Sequence, residues 1–94
     1  MVIDVIISDS AKDDLKDIKN YISRNSPEYA DLLLSRIFEG IENLKLFPMM
    51  GRVVPEFNKK EIRELICQSY RIIYVVSQNR VEIISIVHGA RLLK

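Results

Sequence analysis

The chain has 94 residues, of which 48% are apolar and 29% charged, and its formal net charge is +1. This size and balance predict a single domain, residues 1–94, and exclude a disordered chain or a two-domain enzyme. A net charge near zero supplies no overall field for holding nucleic acid, so any basic site must be local. With one cysteine, Cys67, and one histidine, His88, the chain lacks an intramolecular disulfide and the usual metal ligand sets, and we expect no cofactor.

The charges are unevenly distributed along the chain. Residues 1–47 carry a net charge of −3 and residues 48–94 a net charge of +4. This asymmetry predicts an interaction surface on the basic half, with an unevenly charged solvated surface as the alternative. No apolar stretch is long enough to span a membrane, and the first residues lack the basic region of a signal peptide. We therefore expect a cytoplasmic protein with no membrane contact.

The first quarter of the chain predicts a strand and a helix. Residues 2–7 are short and β-branched, which favours a strand. Ser10 is predicted to cap a helix that ends near residue 25, because apolar residues follow it at helical spacing. Three acidic residues are expected on the solvent side of this helix: Asp13, Asp14 and Asp17.

A second helix is predicted directly after the first. Ser26 is a capping residue and Pro27 suits the first helical position, while Pro48 is expected to end the helix. The connection between the helices is only a few residues long. It therefore predicts an antiparallel helical hairpin.

The second half of the chain predicts a sheet. Residues 49–58 contain Gly51 and Pro55 and are typical of a loop or an irregular edge. Three strands rich in Ile, Val and Tyr follow, joined by connections short enough for hairpins, and they predict an antiparallel meander. An α+β domain is expected, with both helices on one face of the sheet and the other face free. The three strands are Ile62–Cys67, Tyr70–Val76 and Val81–Val87.

Few side chains suggest chemistry. His88 can act as a general acid or base near neutral pH, or it can be structural at the end of a strand. Cys67 has no basic partner nearby in sequence and is interpreted as a core residue. Tyr70 and Tyr74 share a strand face, where they can stack on a base, anchor a partner or simply pack. Arg71 lies among apolar residues of the same strand, and burying an unpaired guanidinium is costly.

Seven short motifs occur in order along nearly the whole chain: Asp14-Leu15-x-x-Ile18-x-x-Tyr21-Ile22, Ser26-Pro27-x-x-Ala30, Leu44-x-x-Phe47-Pro48-x-x-Gly51-Arg52, Pro55-Glu56, Ile62-Arg63-Glu64-Leu65, Tyr70-Arg71-Ile72-Ile73-Tyr74 and Val87-His88-Gly89-Ala90-Arg91. Together they resemble the RelE/ParE toxin superfamily of type II toxin–antitoxin systems. The resemblance implies a β-α-α-β-β-β fold, in which a helical hairpin packs on a small antiparallel sheet that the N-terminal strand joins.

Two motifs are more similar to the ParE-like branch than to the RelE-like branch: Phe47-Pro48-x-x-Gly51-Arg52 and Tyr70-Arg71-Ile72-Ile73-Tyr74. That branch implies a toxin of a plasmid stabilisation module which inhibits DNA gyrase and is not itself an enzyme. The isoelectric point of about 7.8 agrees, because a protein that docks among ribosomal phosphates usually has a strong basic excess.

The RelE-like branch implies a different activity, a ribosome-dependent endoribonuclease (mRNA interferase) whose partners are the ribosome and messenger RNA. In that case His88 acts as acid or base, and three arginines that converge with it at one end of the sheet hold the phosphate: Arg63, Arg71 and Arg91. A degenerate toxin that retains only antitoxin binding is the third interpretation.

All these interpretations imply a cognate antitoxin that neutralises the toxin, and the resemblance allows a dimer of toxin–antitoxin heterodimers. The antitoxin is expected to add a strand to an open sheet edge or to lay a helix in an apolar groove. The alternative is that the apolar stripe of the second helix is entirely core. The predicted partner-binding residues are Leu33, Ile37, Phe38, Ile41, Tyr70 and Tyr74.

Overall fold

A five-stranded sheet carries two helices on one of its faces. The structure is a computed structural model that describes residues 3–91 and 93. In chain order the elements are β1 (Asp4–Ile7), α1 (Asp9–Ser23), α2 (Pro27–Asn43), β2 (Arg52–Val53), β3 (Ile62–Cys67), β4 (Tyr70–Val76) and β5 (Arg80–His88).

The strand order in the sheet is β1-β5-β4-β3-β2. β1 runs parallel to β5, and every other neighbouring pair is antiparallel. The α+β prediction is confirmed, as are the bounds of β3 and β4. β2 lies in the segment predicted to be a loop or an irregular edge, and it forms a two-residue edge strand through its pairing with Arg63 and Glu64 of β3. So short a run has no period that a sequence pattern can show.

Helix α1 begins two residues earlier than predicted. Ser8, rather than Ser10, is its N-cap, and the Ser8 hydroxyl accepts a hydrogen bond of 3.1 Å from the backbone N–H of Ala11. Both serines precede the apolar stripe, so spacing alone does not distinguish them.

Helix α2 begins as predicted and ends earlier. Ser26 caps it through a hydrogen bond from the Tyr29 N–H, and Pro27 occupies the first turn. The helix ends at Asn43, and Pro48 lies beyond it in a run of turns. The prediction that Pro48 ends the helix is therefore wrong. Within residues 3–91 and 93, neither helix is long and apolar enough to cross a membrane.

The core lies between the helices and the facing side of the sheet. Ile72 and Tyr74 of β4 belong to it, so this side of the strand meets the helices and the alternate residues Arg71 and Ile73 face away. Full burial of one such aliphatic side chain contributes about 1.5–3 kcal/mol. The buried core residues are Ala11, Leu15, Ile18, Leu33, Ile37, Ile41, Leu44, Ile72, Tyr74, Val81, Ile83 and Ile86.

Asp14 fixes α1 to β5, next to an irregularity in the sheet. The register with β4 shifts between Ile73 and Tyr74, whose partners are Ser85 and Ile83. The Asp14 carboxylate of α1 accepts hydrogen bonds from the Ile86 N–H at 2.9 Å and the Ser85 hydroxyl at 3.2 Å. The prediction of a solvated Asp14 is therefore wrong: the pairing of β1 with β5 ends at Ile83, and beyond it the Ile86 N–H binds this carboxylate instead of a strand.

Candidate functional site

Arg71 lies on the sheet face opposite the helices, with only 6% of its side chain exposed. Its Nε donates a 2.6 Å hydrogen bond to Glu64 Oε1. Its Nη1 and Nη2 donate 2.8 Å hydrogen bonds to the two carboxylate oxygens of Glu56. A guanidinium in the middle of an apolar strand is thus stabilised by two carboxylates, one of them in bidentate geometry.

Four side chains form what we call the Arg71 cluster: Arg52, Glu56, Glu64 and Arg71. Glu64 is buried on β3, and its second oxygen accepts a hydrogen bond from Arg52 Nε. Two cations and two anions balance, which is the arrangement that makes burial of charge tolerable. The hydrogen bond from Arg71, followed by that from the Leu93 N–H, lowers the pKa of Glu56 from 4.5 to about 2. The same carboxylates raise the pKa of Arg71, against the effect of its burial.

The chain after β5 also contacts the Arg71 cluster. Arg71 Nη1 donates a 3.1 Å hydrogen bond to the carbonyl of Arg91, and the Leu93 N–H donates one of 3.1 Å to Glu56 Oε2. The sheet face that was expected to be free is therefore partly covered. The sequence pattern did not predict these contacts, because they are made by backbone groups and by a carboxylate in a loop.

The geometry of the Arg71 cluster limits its chemistry. Arg71 already makes four hydrogen bonds, three to carboxylates and one to a carbonyl, so its charge is compensated within the chain. A phosphate would have to displace a carboxylate to reach it. A shallow depression of about 400 Å³ adjoins the cluster, lined by Arg52, Pro55, Glu56, Arg71 and Gly89.

His88 ends β5 on the side of the sheet opposite to Arg71. It pairs in register with Tyr70, and the two rings meet edge to face with centroids 5.7 Å apart. The exposed imidazole accepts a 3.2 Å hydrogen bond at Nδ1 from the Ala90 N–H. Because Tyr70 and Arg71 are adjacent on β4, their side chains point to opposite faces of the sheet. His88 lies on the same face as its partner Tyr70.

Arg63 lies apart from both Arg71 and His88. It pairs in register with Tyr74, on the helix side of the sheet. Its guanidinium donates to three carbonyls, those of Gly51 at 2.9 Å, Lys60 at 2.8 Å and Met49 at 3.3 Å. The four predicted catalytic residues therefore do not converge on one point, since only Arg71 and the backbone of Arg91 are in direct contact. A catalytic role for these residues stays a prediction.

Glu56 and Glu64 are the site residues that the sequence reasoning did not single out. Strand alternation places Glu64 on the face opposite to Arg63, which is the face of Arg71. Because a buried arginine requires a carboxylate partner, this alternation could have identified Glu64 from the sequence. Glu56 could not have been identified in this way, because it lies in a loop whose path no periodicity predicts.

The predicted partner-binding residues divide into two groups. Leu33, Ile37, Ile41 and Tyr74 are at most 4% exposed, so they are core residues and not the floor of an open groove. The spacing of Leu33, Ile37 and Ile41 along α2 is the same for a core residue as for a partner-binding residue, so the sequence pattern did not distinguish these roles. Phe38 is 42% exposed and Tyr70 is partly buried, and these two remain accessible.

One edge of the sheet is open beside α2. β2 pairs only with Arg63 and Glu64, which leaves the outer edge of Leu65–Cys67 without a neighbouring strand in the described part of the chain; we call it the β3 edge. Ile66, at its centre, is 58% exposed. Burial raises the pKa of the Cys67 thiol, and the nearby Arg36 of α2 opposes that rise. An exposed segment of α2 thus runs beside this edge.

Comparison with known proteins identifies the family. The model of the ParE toxin of the type II toxin–antitoxin system parDE matches residues 5–93. No curated protein matches the sequence significantly. A chain from the chromosomal ParDE toxin–antitoxin system of P. aeruginosa superposes with a TM-score of 0.74 at 20% identity, covering 93% of this chain and 96% of that one.

A second solved structure is the RelBE2 toxin–antitoxin complex of Mycobacterium tuberculosis. Its TM-score is 0.63 at 16% identity, with 94% of this chain and 99% of that one covered. At these identities both likenesses concern the fold alone. The family match extends over nearly the entire sequence, and the chain therefore belongs to the ParE toxins of type II toxin–antitoxin systems.

Proposed function

We propose that this ParE-type toxin inhibits DNA gyrase by binding it, and that a cognate antitoxin neutralises it at the β3 edge. The observation that carries the choice of gyrase over messenger RNA is the compensated charge of Arg71. Cleavage of RNA by side chains alone needs free cationic groups at the phosphate and a general acid or base beside them.

The Arg71 cluster argues against the ribonuclease. Its central cation is held by Glu56 and Glu64, two carboxylates that would repel a phosphate. His88, the one imidazole, lies on the opposite side of the sheet beside Tyr70. An isoelectric point of about 7.8 also gives little attraction to ribosomal RNA.

The β3 edge supports the antitoxin part of the proposal. An unpaired edge strand offers backbone N–H and C=O groups to an extended peptide, and an exposed side chain such as Ile66 offers it an apolar anchor. Tyr29 and Leu32 lie on the same exposed face of α2 as Arg36, which is near Cys67. A bound strand at the edge would thus continue onto apolar helix surface.

Induction of the toxin without its antitoxin tests the choice of target. We expect growth arrest with intact messenger RNA ends by primer extension, and inhibition of supercoiling when purified toxin is added to purified gyrase. His88→Ala is expected to remain toxic. Codon-specific RNA cuts that disappear in His88→Ala would contradict the proposal and favour the ribonuclease.

A charge at the β3 edge tests the antitoxin site. Ile66→Lys is expected to weaken antitoxin binding by about tenfold, because it replaces an apolar anchor with a side chain that blunts strand pairing. Ile6→Lys, at the opposite edge of the sheet on β1, is the matched control and should bind normally. Equal affinities in the two variants, measured by titration calorimetry, would place the antitoxin elsewhere.

A further inference from the structure

An exposed apolar loop follows α2. Four of its five residues are large apolar side chains, and they are 57%, 61%, 49% and 51% exposed, in chain order. Isolated exposed apolar residues are ordinary, whereas several in one short segment indicate an interaction site. We call residues 46–50 the apolar loop: Leu46, Phe47, Pro48, Met49 and Met50.

Hydrogen bonds hold the apolar loop in one conformation. The N–H groups of Leu46 and Phe47 both donate to the carbonyl of Asn43, at 3.2 and 3.0 Å. The Met50 N–H donates to the Phe47 carbonyl at 3.1 Å. These bonds fix the backbone of the apolar loop, from which the four large apolar side chains remain about half or more exposed.

The buried Tyr74 and the partly buried Arg63 fix the far end of the loop. The Tyr74 hydroxyl accepts a 2.9 Å hydrogen bond from the Gly51 N–H, and the Arg63 guanidinium binds the carbonyls of Met49 and Gly51. A Cβ on Gly51 would lie 2.5 Å from the Glu64 carbonyl oxygen and from the Tyr74 hydroxyl, so only glycine allows this approach. Binding by a preformed loop loses less conformational entropy than binding by a flexible one.

Positive charge lies next to the apolar loop. Arg63 joins the carbonyls of Lys60 and Met49, so Lys60 lies beside the loop, with Lys59 next to it in the chain. Both lysines are exposed, and neither forms an ion pair with a residue that the structure describes. Apolar anchors flanked by free ammonium groups complement a segment with apolar and acidic side chains.

We infer that the apolar loop, with Lys59 and Lys60 at its rim, is the surface that docks onto an acidic amphipathic segment of gyrase, separately from the antitoxin site. This inference rests on the proposed function for the identity of the partner. Phenylalanine and methionine suit the role, because aromatic and methionine side chains are enriched in the buried centres of interfaces. Arg63 and Tyr74 act in it by holding the loop.

Binding of antitoxin-free toxin to purified gyrase holoenzyme tests the inference. Phe47→Ser combined with Met50→Ser is expected to raise the Kd about 100-fold, since two central anchors are lost. Lys59→Glu with Lys60→Glu is expected to raise it about tenfold and to reduce its salt dependence. Tyr21→Ser, which alters an equally exposed residue of α1, is the matched control and should bind as wild type does.

Antitoxin binding separates the outcomes. Unchanged antitoxin affinity of the Phe47/Met50 variant shows that it is folded and that the two surfaces are distinct, as the inference requires. If the Phe47/Met50 variant binds gyrase as tightly as wild type, the inference is wrong while the proposed function stands. The inference is also wrong if the variant is folded by circular dichroism but no longer binds the antitoxin. Wild-type toxin that does not bind gyrase refutes the proposed function, and the inference falls with it.

Discussion

The two faces of the sheet are built in opposite ways. The helix side is closed by apolar side chains from both helices and from alternate residues of β4 and β5. The other side is closed over Arg71 by Glu56, Glu64 and the backbone after β5. Apolar burial tolerates small changes in shape, whereas a buried ion cluster fails when one member is removed, because its partners keep their charge.

Removal of the central cation should have the largest effect. Arg71→Met leaves the Glu64 carboxylate buried with only Arg52 to balance it, and we expect a loss of about 4 kcal/mol in the free energy of unfolding. Urea denaturation measures it. Replacing the pair together, Arg71→Met with Glu64→Leu, should recover a large part of the loss. An Arg71→Met variant as stable as wild type would show that the Arg71 cluster does not stabilise this face of the sheet.

A cavity on the helix side should have a slightly smaller effect. Ile37 is fully buried between α2 and the sheet, and Ile37→Ala is expected to cost about 3 kcal/mol. The same urea series measures it. Leu32→Ala, an exposed residue of the same helix, is the control and should change stability by less than about 0.5 kcal/mol.

The junction between the two faces is at Gly51. Gly51→Ala forces a Cβ against the Glu64 backbone and the Tyr74 hydroxyl, and we expect it to cost about 2 kcal/mol. Gly40→Ala is the control, because its Cβ would meet only ordinary contacts at 3.6 and 4.0 Å. Thermal unfolding that finds the Gly51 variant unchanged would mean that the contact is looser than described.

The smallest predicted effect concerns acid, because Glu64 still pairs with Arg71 when Glu56 loses its charge. The pKa of Glu56 is about 2 in the folded chain against 4.5 for the free group, so its ion pair stabilises the fold above pH 4.5 and is lost as the pH falls toward 2. Glu56→Gln should lower the Tm at pH 6 and flatten its decline between pH 4.5 and 2. Ile37→Ala should shift the whole profile down without changing that decline, since no proton binds there.

The kind of interaction determined what the sequence could predict. Alternation and helical spacing predicted the two-helix, antiparallel arrangement and the bounds of β3 and β4, because apolar burial leaves a periodic pattern. They did not predict β2, the cap at Ser8 or the role of Asp14, each of which depends on one hydrogen bond or on pairing with a distant strand.

The candidate site was predicted only in part for the same reason. Arg71 was conspicuous as a charge on an apolar strand, but Glu56 reaches it from a loop 15 residues away. The stripe of α2 that was offered as a partner groove is mostly core, since Leu33 and Ile37 have the same spacing in either role. Exposure, which decides between the two, is a property of the folded chain.

Toxicity of a chain in which the buried charges of the Arg71 cluster are removed tests whether Arg71 serves the fold and not catalysis. The variant is Arg71→Met with Glu64→Leu and Glu56→Gln, which replaces three of the four charges of the Arg71 cluster by uncharged side chains of similar size and keeps Arg52, whose side chain is 63% exposed. It is purified with its antitoxin to establish that it folds, and then induced alone. We expect growth arrest and gyrase inhibition like those of wild type. A variant that folds and binds the antitoxin but is no longer toxic would contradict it.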